Sequence, residues 1–280
     1  MAYLPLSTAN LPDPVIDPAQ GASPEDYFGS VVWSGNSSAT KRTDIQFDGV
    51  QPDLVWLKNR TLTRDHALHD DVRGLNARIK SNNTETESTT DAPFDTDGFG
   101  FDGVGTQLRI ATTNSSYNAS GSSYVAWGWK ASGASGVSNN AGSIPSTVSA
   151  NTTSGFSIVT YTGVSGGGTV GHGLGVKPSC IIVKNRSQAD NWWIWHQGME
   201  SSGENGEDYL FFTTAASADD NYQYLANNST TFTPQGTSKL MQDGGNFVAY
   251  CWAEVEGFSK FDSYVGNGST DGPFVYTGFR

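Results

Sequence analysis

Short runs of large apolar residues punctuate an otherwise polar chain. "DLVWLKN" (53–59) and "SCIIVKN" (179–185) are compact and end in Lys-Asn, whereas "SYVAWGWKA" (123–131) and "FVAYCWAEV" (247–255) are longer, with bulky residues at alternate positions. Runs of this length bounded by Gly, Asn and Ser predict β-strands, and their number predicts a sandwich or barrel. No window sustains the apolar spacing of a helix. Residues 70–81, "DDVRGLNARIKS", come nearest, and Gly74 interrupts them. Pro52 and Pro178 suit the first residue of a strand, where a missing N–H matters least. The Lys-Asn that follows each run is expected to close the strand at a solvent edge.

The pattern repeats over a long period, which must be tested before a fold is assigned. "PDLVWLKNR" (52–60) and "PSCIIVKNR" (178–186) are 126 residues apart, as are Gly49 and Gly175 just before them. Upstream, "VVWSGNSS" (31–38) matches "IVTYTGVS" (158–165). Downstream, Tyr124, Val125, Ala126 and Trp129 match Phe247, Val248, Ala249 and Trp252 at a spacing of 123. Four matches in the same order identify a duplicated module. A third copy begins at "SYVGNGSTDGPFVYTGFR" (263–280), with Tyr264 in the place of Trp33 and Tyr161. It stops in mid-module; either the chain is cut there or these residues complete a sheet of the preceding module or of another chain.

The expected fold is therefore all-β, two tandem antiparallel β-sandwich modules with an extended N-terminal arm. Residues 1–26 form a Pro-rich arm, 27–131 the first module and 132–153 a Gly/Ser linker. Residues 154–258 form the second module, and 259–280 the first strands of an incomplete third. The 280 residues suffice for two ordinary domains. Charged residues make up only 16%, and Gly, Ser, Thr and Asn fill the balance beside 8 Trp, 11 Tyr and 14 Phe, a composition that suits pleated surfaces and turns. A net charge of −12 argues against nucleic acid as a partner. No apolar run approaches a membrane span of about 20 residues, and "MAYLPLSTANLPDP" has neither the basic region nor the apolar core of a secretory signal. Cys180 and Cys251 sit in apolar runs and read as buried free thiols, and with no Cys-x-x-Cys a zinc site has no support.

The paired refrains, the Gly175-Val176-Lys177-Pro178 approach, "YVAW" and "FVAYCWAE", and "GFSKFDSYVGNGSTDGPFVYTGFR" (257–280) resemble a repeated β-domain of tail-fibre and appendage proteins of tailed bacteriophages, marine phages especially. The resemblance runs from about Tyr27 to Arg280. It implies a virion protein of lectin-like, jelly-roll or concanavalin-like sandwiches, homotrimeric, with a role in adsorption to the host. The motifs that carry it are fold-forming and transfer no catalytic or ligand-binding residue.

Candidate chemistry is sparse. The expectation is a non-enzyme with no catalytic residues, no cofactor and no metal ion. "DHALHDD" (65–71) has the residue types of a metal cluster, but His66 and Asp70-Asp71 lack counterparts in the second module. "DTDGFGFDG" (95–103) offers Asp residues as a calcium loop would, yet lacks a complete ligand set and reads as a turn. His69 and His196 align at an offset of 127 and suggest a structural hydrogen bond at a strand end. In "WWIWHQG" (192–198) alternation separates Trp193 and Trp195 from Trp192, Ile194 and His196. We assign Trp195 to the core and Trp192 to a surface or interface, because Leu68 matches Trp195 whereas Asp65 stands opposite Trp192. The candidate ligand or interface residues are thus Trp192, His196, Asp65 and His69. The expected role is multivalent, non-catalytic adhesion as a tail fibre or receptor-binding component. A decoration or connector protein is the alternative, and a glycan depolymerase a more distant one. The expected partners are further copies of the chain, virion tail or capsid proteins held through the N-terminal arm, and a host surface glycan or protein.

Overall fold

A computed structural model describes residues 16, 22–91, 93–99, 106–199, 209–213, 217–218, 224–235 and 238–277. The protein is all-β, and every strand ladder among the described residues is antiparallel. The first half centres on a four-stranded sheet of β1 (Phe28–Ser34), β2 (Leu54–Asn59), β3 (Ala67–Asp70) and β6 (Ser123–Trp129), in the order β1-β6-β2-β3. A two-stranded piece, β4 (Phe94–Phe99) with β5 (Leu108–Ile110), accompanies it. The second half centres on β9 (Phe156–Thr162), β17 (Asn246–Trp252), β11 (Cys180–Asn185) and β12 (Trp193–His196), neighbours in that order. β7 (Val137–Asn139) and β8 (Ser146–Asn151) extend this sheet on one side, and β13 (Tyr209–Phe211) and β14 (Ser217–Ala218) on the other. A smaller sheet of β10 (Val170–Gly171), β16 (Thr231–Pro234) and β15 (Leu225–Asn227) and a single helical turn, α1 (Ser238–Met241), complete the second half.

Pairing register recurs residue by residue. Leu54 opposes Trp129 and Asn59 opposes Tyr124, as Cys180 opposes Trp252 and Asn185 opposes Phe247. Trp33 stacks on Tyr124 with ring centres 5.2 Å apart, and Tyr161 stacks on Phe247 at 5.1 Å. Gly49 and Gly175, before the two refrain prolines, both hold positive φ (80° and 74°), where a Cβ would strain the backbone. The third strand corrects one expectation. Val55 faces His69 and Leu54 faces Asp70, whereas Ile181 faces Trp195 and Cys180 faces His196. The counterpart of His69 is therefore Trp195, and that of His196 is Asp70. The 127-residue offset was one position too long, which puts a strand residue on the wrong face.

Each central sheet buries one face, and covers the other in part; on the first sheet Ser30, Val32 and Ser34 of β1 stay exposed. On β2, Val55 and Leu57 point into a core with Ile45, Phe47, Val50, Leu108 and Ile110. On β11 and β12, Ile181, Val183, Trp193 and Trp195 point into a second core with Val170, Leu174, Leu225, Phe232 and Leu240. The alternate residues meet in a third cluster, a seam in which Leu54 and Leu68 of the first sheet pack with Phe156, Ile158, Trp192, Val248 and Tyr250 of the second. A fully buried large apolar side chain contributes roughly 1.5–3 kcal/mol, so this seam fixes the halves together rather than letting them hinge.

Buried charge crosses the same seam. The Arg73 side chain is fully buried; it reaches Asp70 Oδ2 at 2.5 Å and Glu87 Oε2 at 3.0 Å. Arg186 binds Glu87 with both Nε (2.8 Å) and Nη2 (2.7 Å), and Tyr250 OH donates to Asp70 Oδ2 at 2.7 Å. Burial alone would raise the Glu87 pKa, but the Arg186 and Arg73 guanidiniums bring it below the ordinary carboxylate value. Residues 70–81, the stretch nearest to a helical pattern, form no helix: 71–73 turn, Gly74 holds φ 97°, and Asp70 and Arg73 join this network.

Several expectations about boundaries meet a different arrangement. Residues 132–153, expected as a linker, carry β7 and β8; β8 pairs with β9 and β7 with β8, which makes them part of the large sheet. Of the expected opening strands at 259–280, residues 260–277 form no ladder; only Ser259 bridges back to Val255. In the N-terminal arm, Ile16 is buried and Pro24–Asp26 form one 3-10 turn, while its remaining residues up to 21 lie outside the described residues. The Lys-Asn pairs do not sit at a solvent edge. Asn59, Lys184 and Asn185 are buried, and each Asn turns the chain: Asn59 Oδ1 accepts from Thr61 and Leu62 N–H, and Asn185 Oδ1 from Ser187 and Gln188 N–H. Cys180 and Cys251 are buried free thiols. Burial pushes Cys180 up to about 12 and Cys251 up as well.

Candidate ligand-binding site

The turn at Asn59 sends the chain outward through Thr63–Asp65 before it re-enters the sheet as β3. Asn59 Nδ2 ties the same corner to Ser115 O at 2.9 Å and to Tyr124 OH at 3.2 Å. Between these two segments and the strand-like stretch at Arg78–Lys80 lies an open hollow of about 470 Å3, walled by hydroxyl, amide, carboxylate and basic groups. Asp65 forms its rim. Lys80 Nζ lies 3.0 Å from Asp65 Oδ2 and 2.6 Å from Glu85 Oε2. Asn82 Nδ2 donates to Asp65 Oδ1 at 2.8 Å, while Asn82 Oδ1 accepts from His66 N–H at 2.9 Å. Arg78 pairs with Asp91, whose other oxygen accepts from Asn114 Nδ2 at 3.2 Å.

His66 supplies a further donor. Trp56 Nε1 donates to His66 Nδ1 at 2.8 Å, which leaves the proton of the neutral imidazole on Nε2. Burial and then the nearby Lys58 lower the His66 pKa, so the ring is neutral at pH 7. Asp65 is brought below its ordinary value by Asn82 and Lys80 against the opposing effect of burial, and remains ionised. Arg64, Arg78 and Lys80 in the wall are matched by Asp65, Asp91 and adjoining Glu85. With charges balanced, the hollow suits a neutral ligand rich in hydroxyls, which can both donate and accept, better than an anion.

The four candidate residues do not converge. Asp65 alone belongs to the hollow. His69 is fully buried, bonded through Nδ1 to Leu75 O (2.9 Å) and through Nε2 to Tyr117 OH (3.1 Å). Burial first, then Arg73, depresses its pKa to about 3. Trp192, expected at a surface or between subunits, is fully buried in the seam within one chain, where its Nε1 donates to Lys80 O at 2.8 Å. His196 is half-buried at the far end of β12, its Nδ1 accepting from Gly198 N–H at 3.0 Å and its ring 6.0 Å from Phe261. Trp195 lies in the core. The "DHALHDD" stretch spreads over opposite strand faces, and no group of three metal-ligating side chains gathers among the described residues. The side chains of the candidate calcium stretch, 95–103, lie outside the described residues.

Sequence reasoning missed His66, Lys80 and Asn82 as a group. The one available signal was that the 60–66 and 80–85 stretches are polar and flank apolar runs; their convergence depends on the pairing of β3 with Ile79.

Stacked antiparallel sheets bearing loop-built polar surface define an all-β protein whose accessible chemistry lies at strand ends. A family model described as Domain of unknown function (DUF7483) matches residues 23–280, and the chain belongs to that family. No curated protein and no solved structure matches it. Among the described residues no helix is long and apolar enough to cross a membrane.

Proposed function

We propose that the chain is an external appendage component of a tailed-phage particle, a tail-fibre or receptor-binding protein that adheres to the host surface without catalysis. We further propose that it is a duplicated lectin-like β-sandwich, the shared strand order and register of the two halves being the support. The observation that carries the binding reading is the charge-balanced hollow around Asp65, His66, Lys80 and Asn82. Its groups are held by the Asn59 turn and by an ion pair at the rim, so little ordering is required when a ligand arrives. Its polar walls suit a neutral surface glycan, and several copies on one particle would give avidity from weak single contacts.

The test is binding of the full chain to host cells and to an array of neutral glycans. Asp65→Asn at the rim and Lys80→Ala in the wall are each expected to weaken glycan binding about tenfold or more, on the scale of about 1.4 kcal/mol for a lost charge-assisted contact. Binding that is unchanged in both variants would remove the hollow from the reading. Absence of binding to any host surface, with the chain located inside the particle, would favour the connector role.

A further inference from the structure

At one end the seam between the two sheets opens into a cleft of about 380 Å3. Its walls are aromatic: Phe28 lies against Trp129 and Phe156 against Trp252, each pair with ring centres 5.1 Å apart, and Phe258 approaches Tyr27 at 6.2 Å. Trp56, Ile182 and Phe261 complete the apolar wall, beside two serines, Ser154 and Ser259, and the Cys180 thiol. Such a surface cannot pair the hydroxyls of a sugar. It calls for an apolar occupant.

The same chain exposes apolar side chains of matching kind. Leaving the cleft wall at Phe261, it presents Val265 at 88%, Phe274 at 91% and Tyr276 at 77% exposure, with Tyr264 at 69%. Local turns shape this segment: Asn267 Oδ1 accepts from Ser269 N–H, Ser269 Oγ accepts from Asp271 N–H, and Asn267 Nδ2 donates to Asp271 O. Tyr264 occupies the repeat position of Trp33 and Tyr161, which are both buried and stacked on an aromatic of the neighbouring strand. The pattern therefore belongs to side chains that serve elsewhere as buried anchors. Clustered exposed apolar groups beside an apolar socket mark association.

We propose that Tyr264–Tyr276 is a self-association segment whose aromatic side chains fill the seam cleft of a second copy. Each chain then carries one plug and one socket, and closure into a ring of two or three satisfies all of them, whereas an open arrangement would leave one of each bare. The proposal is independent of glycan binding at the polar hollow.

The full chain is to be sized by light scattering on a gel-filtration column. The expected mass is a small multiple of 29.8 kDa, and the double variant F274S/Y276S is expected to run as a monomer. Both side chains are exposed in the single chain, so its circular dichroism should match the parent, and its unfolding midpoint should match that of the parent diluted until it dissociates. p-Benzoylphenylalanine in place of Phe274 should cross-link between chains, to Trp129, Phe156, Trp252 or Phe258. A monomeric parent, an oligomer indifferent to the double substitution, or cross-links confined to one chain or to residues outside the cleft would each overturn the proposal. A monomer whose cleft takes up an apolar dye would also overturn it, in favour of a small-molecule occupant.

Discussion

At the scale of single residues, the most consequential groups are buried and polar. Asp53 and Asp71 lie side by side, Asp53 Oδ2 accepting from Ala131 N–H (2.5 Å) and Gly133 N–H (3.2 Å). Burial first, then the neighbouring Asp53 and Asp70, push Asp71 up to about 10; burial also raises Asp53. The folded protein thus keeps a proton on Asp71 that the unfolded chain releases above the ordinary value of 3.8, so this group removes stability as pH rises. His69 acts oppositely. With its pKa depressed to about 3, the stability it contributes is complete above its ordinary value of 6.5 and is lost as pH falls below that. Between pH 3.8 and 6.5 the two slopes oppose one another, and His66, His172 and His196, each held below 6.5 chiefly by burial, act in the same sense as His69. Asp71→Asn keeps the shape without the titration. Relative to that of the variant, the parent's stability to urea is expected to fall from pH 6.5 to pH 8, by at most about 1.4 kcal/mol per unit. Parallel profiles would show that Asp71 does not titrate anomalously.

Among elements, the recurring unit is a strand with a turn built into its last residue. Asn59 and Asn185 end β2 and β11, each buried, each accepting two backbone N–H groups from the next residues. This is the physical content of the repeated "KN", and the sequence announced it by repetition alone. Replacing either by alanine removes a buried amide and every hydrogen bond it makes to the turn, and each variant is expected to lose about 1–3 kcal/mol in urea unfolding. A loss in one half only would mean the two turns are not equivalent. Elsewhere the element scale defeated pattern reading. β7 (VSN) and β8 (STVSAN) are mostly Ser, Asn and Thr, with Val137 largely exposed and only Val148 and Ala150 of β8 reaching the core. Such strands owe their existence to pairing, β8 with β9 and β7 with β8, rather than to propensity. The third strand went astray by one residue because "DHALHDD" and "NWWIWHQ" share no apolar alternation from which a register can be read; only the ladder with β2 or β11 sets it.

For the whole molecule, the seam decides the behaviour. The two sheets cannot separate without exposing Phe156, Ile158, Trp192 and Tyr250 together with the Arg73–Glu87–Arg186 network. Urea unfolding should therefore follow one transition, with tryptophan fluorescence and circular dichroism coincident; two resolved steps would mean the seam is weak. Glu87→Ala removes the carboxylate shared by Arg73 and Arg186 and leaves buried guanidinium charge short of a partner. A loss of about 3 kcal/mol is expected, measured as a lower urea midpoint, with Glu87→Gln recovering part of it.

Strand class, the two refrains and the recurring aromatic runs at 123–131 and 247–255 were legible in the chain, because alternation and repetition are local properties of a sequence. The match of Leu68 to Trp195 was not, the ladders giving Leu68 the place of Ile194. The stacking of the two sheets was not legible. Leu54, Trp56, Ile182 and Tyr250 read as ordinary alternate strand residues, and whether such a row meets water or another sheet depends on what the fold brings opposite. The same holds for the polar hollow, whose walls come from residues 63–67, 78–82, 91 and 115–116. Segments so far apart in sequence become neighbours only when strand pairing closes the loops between them.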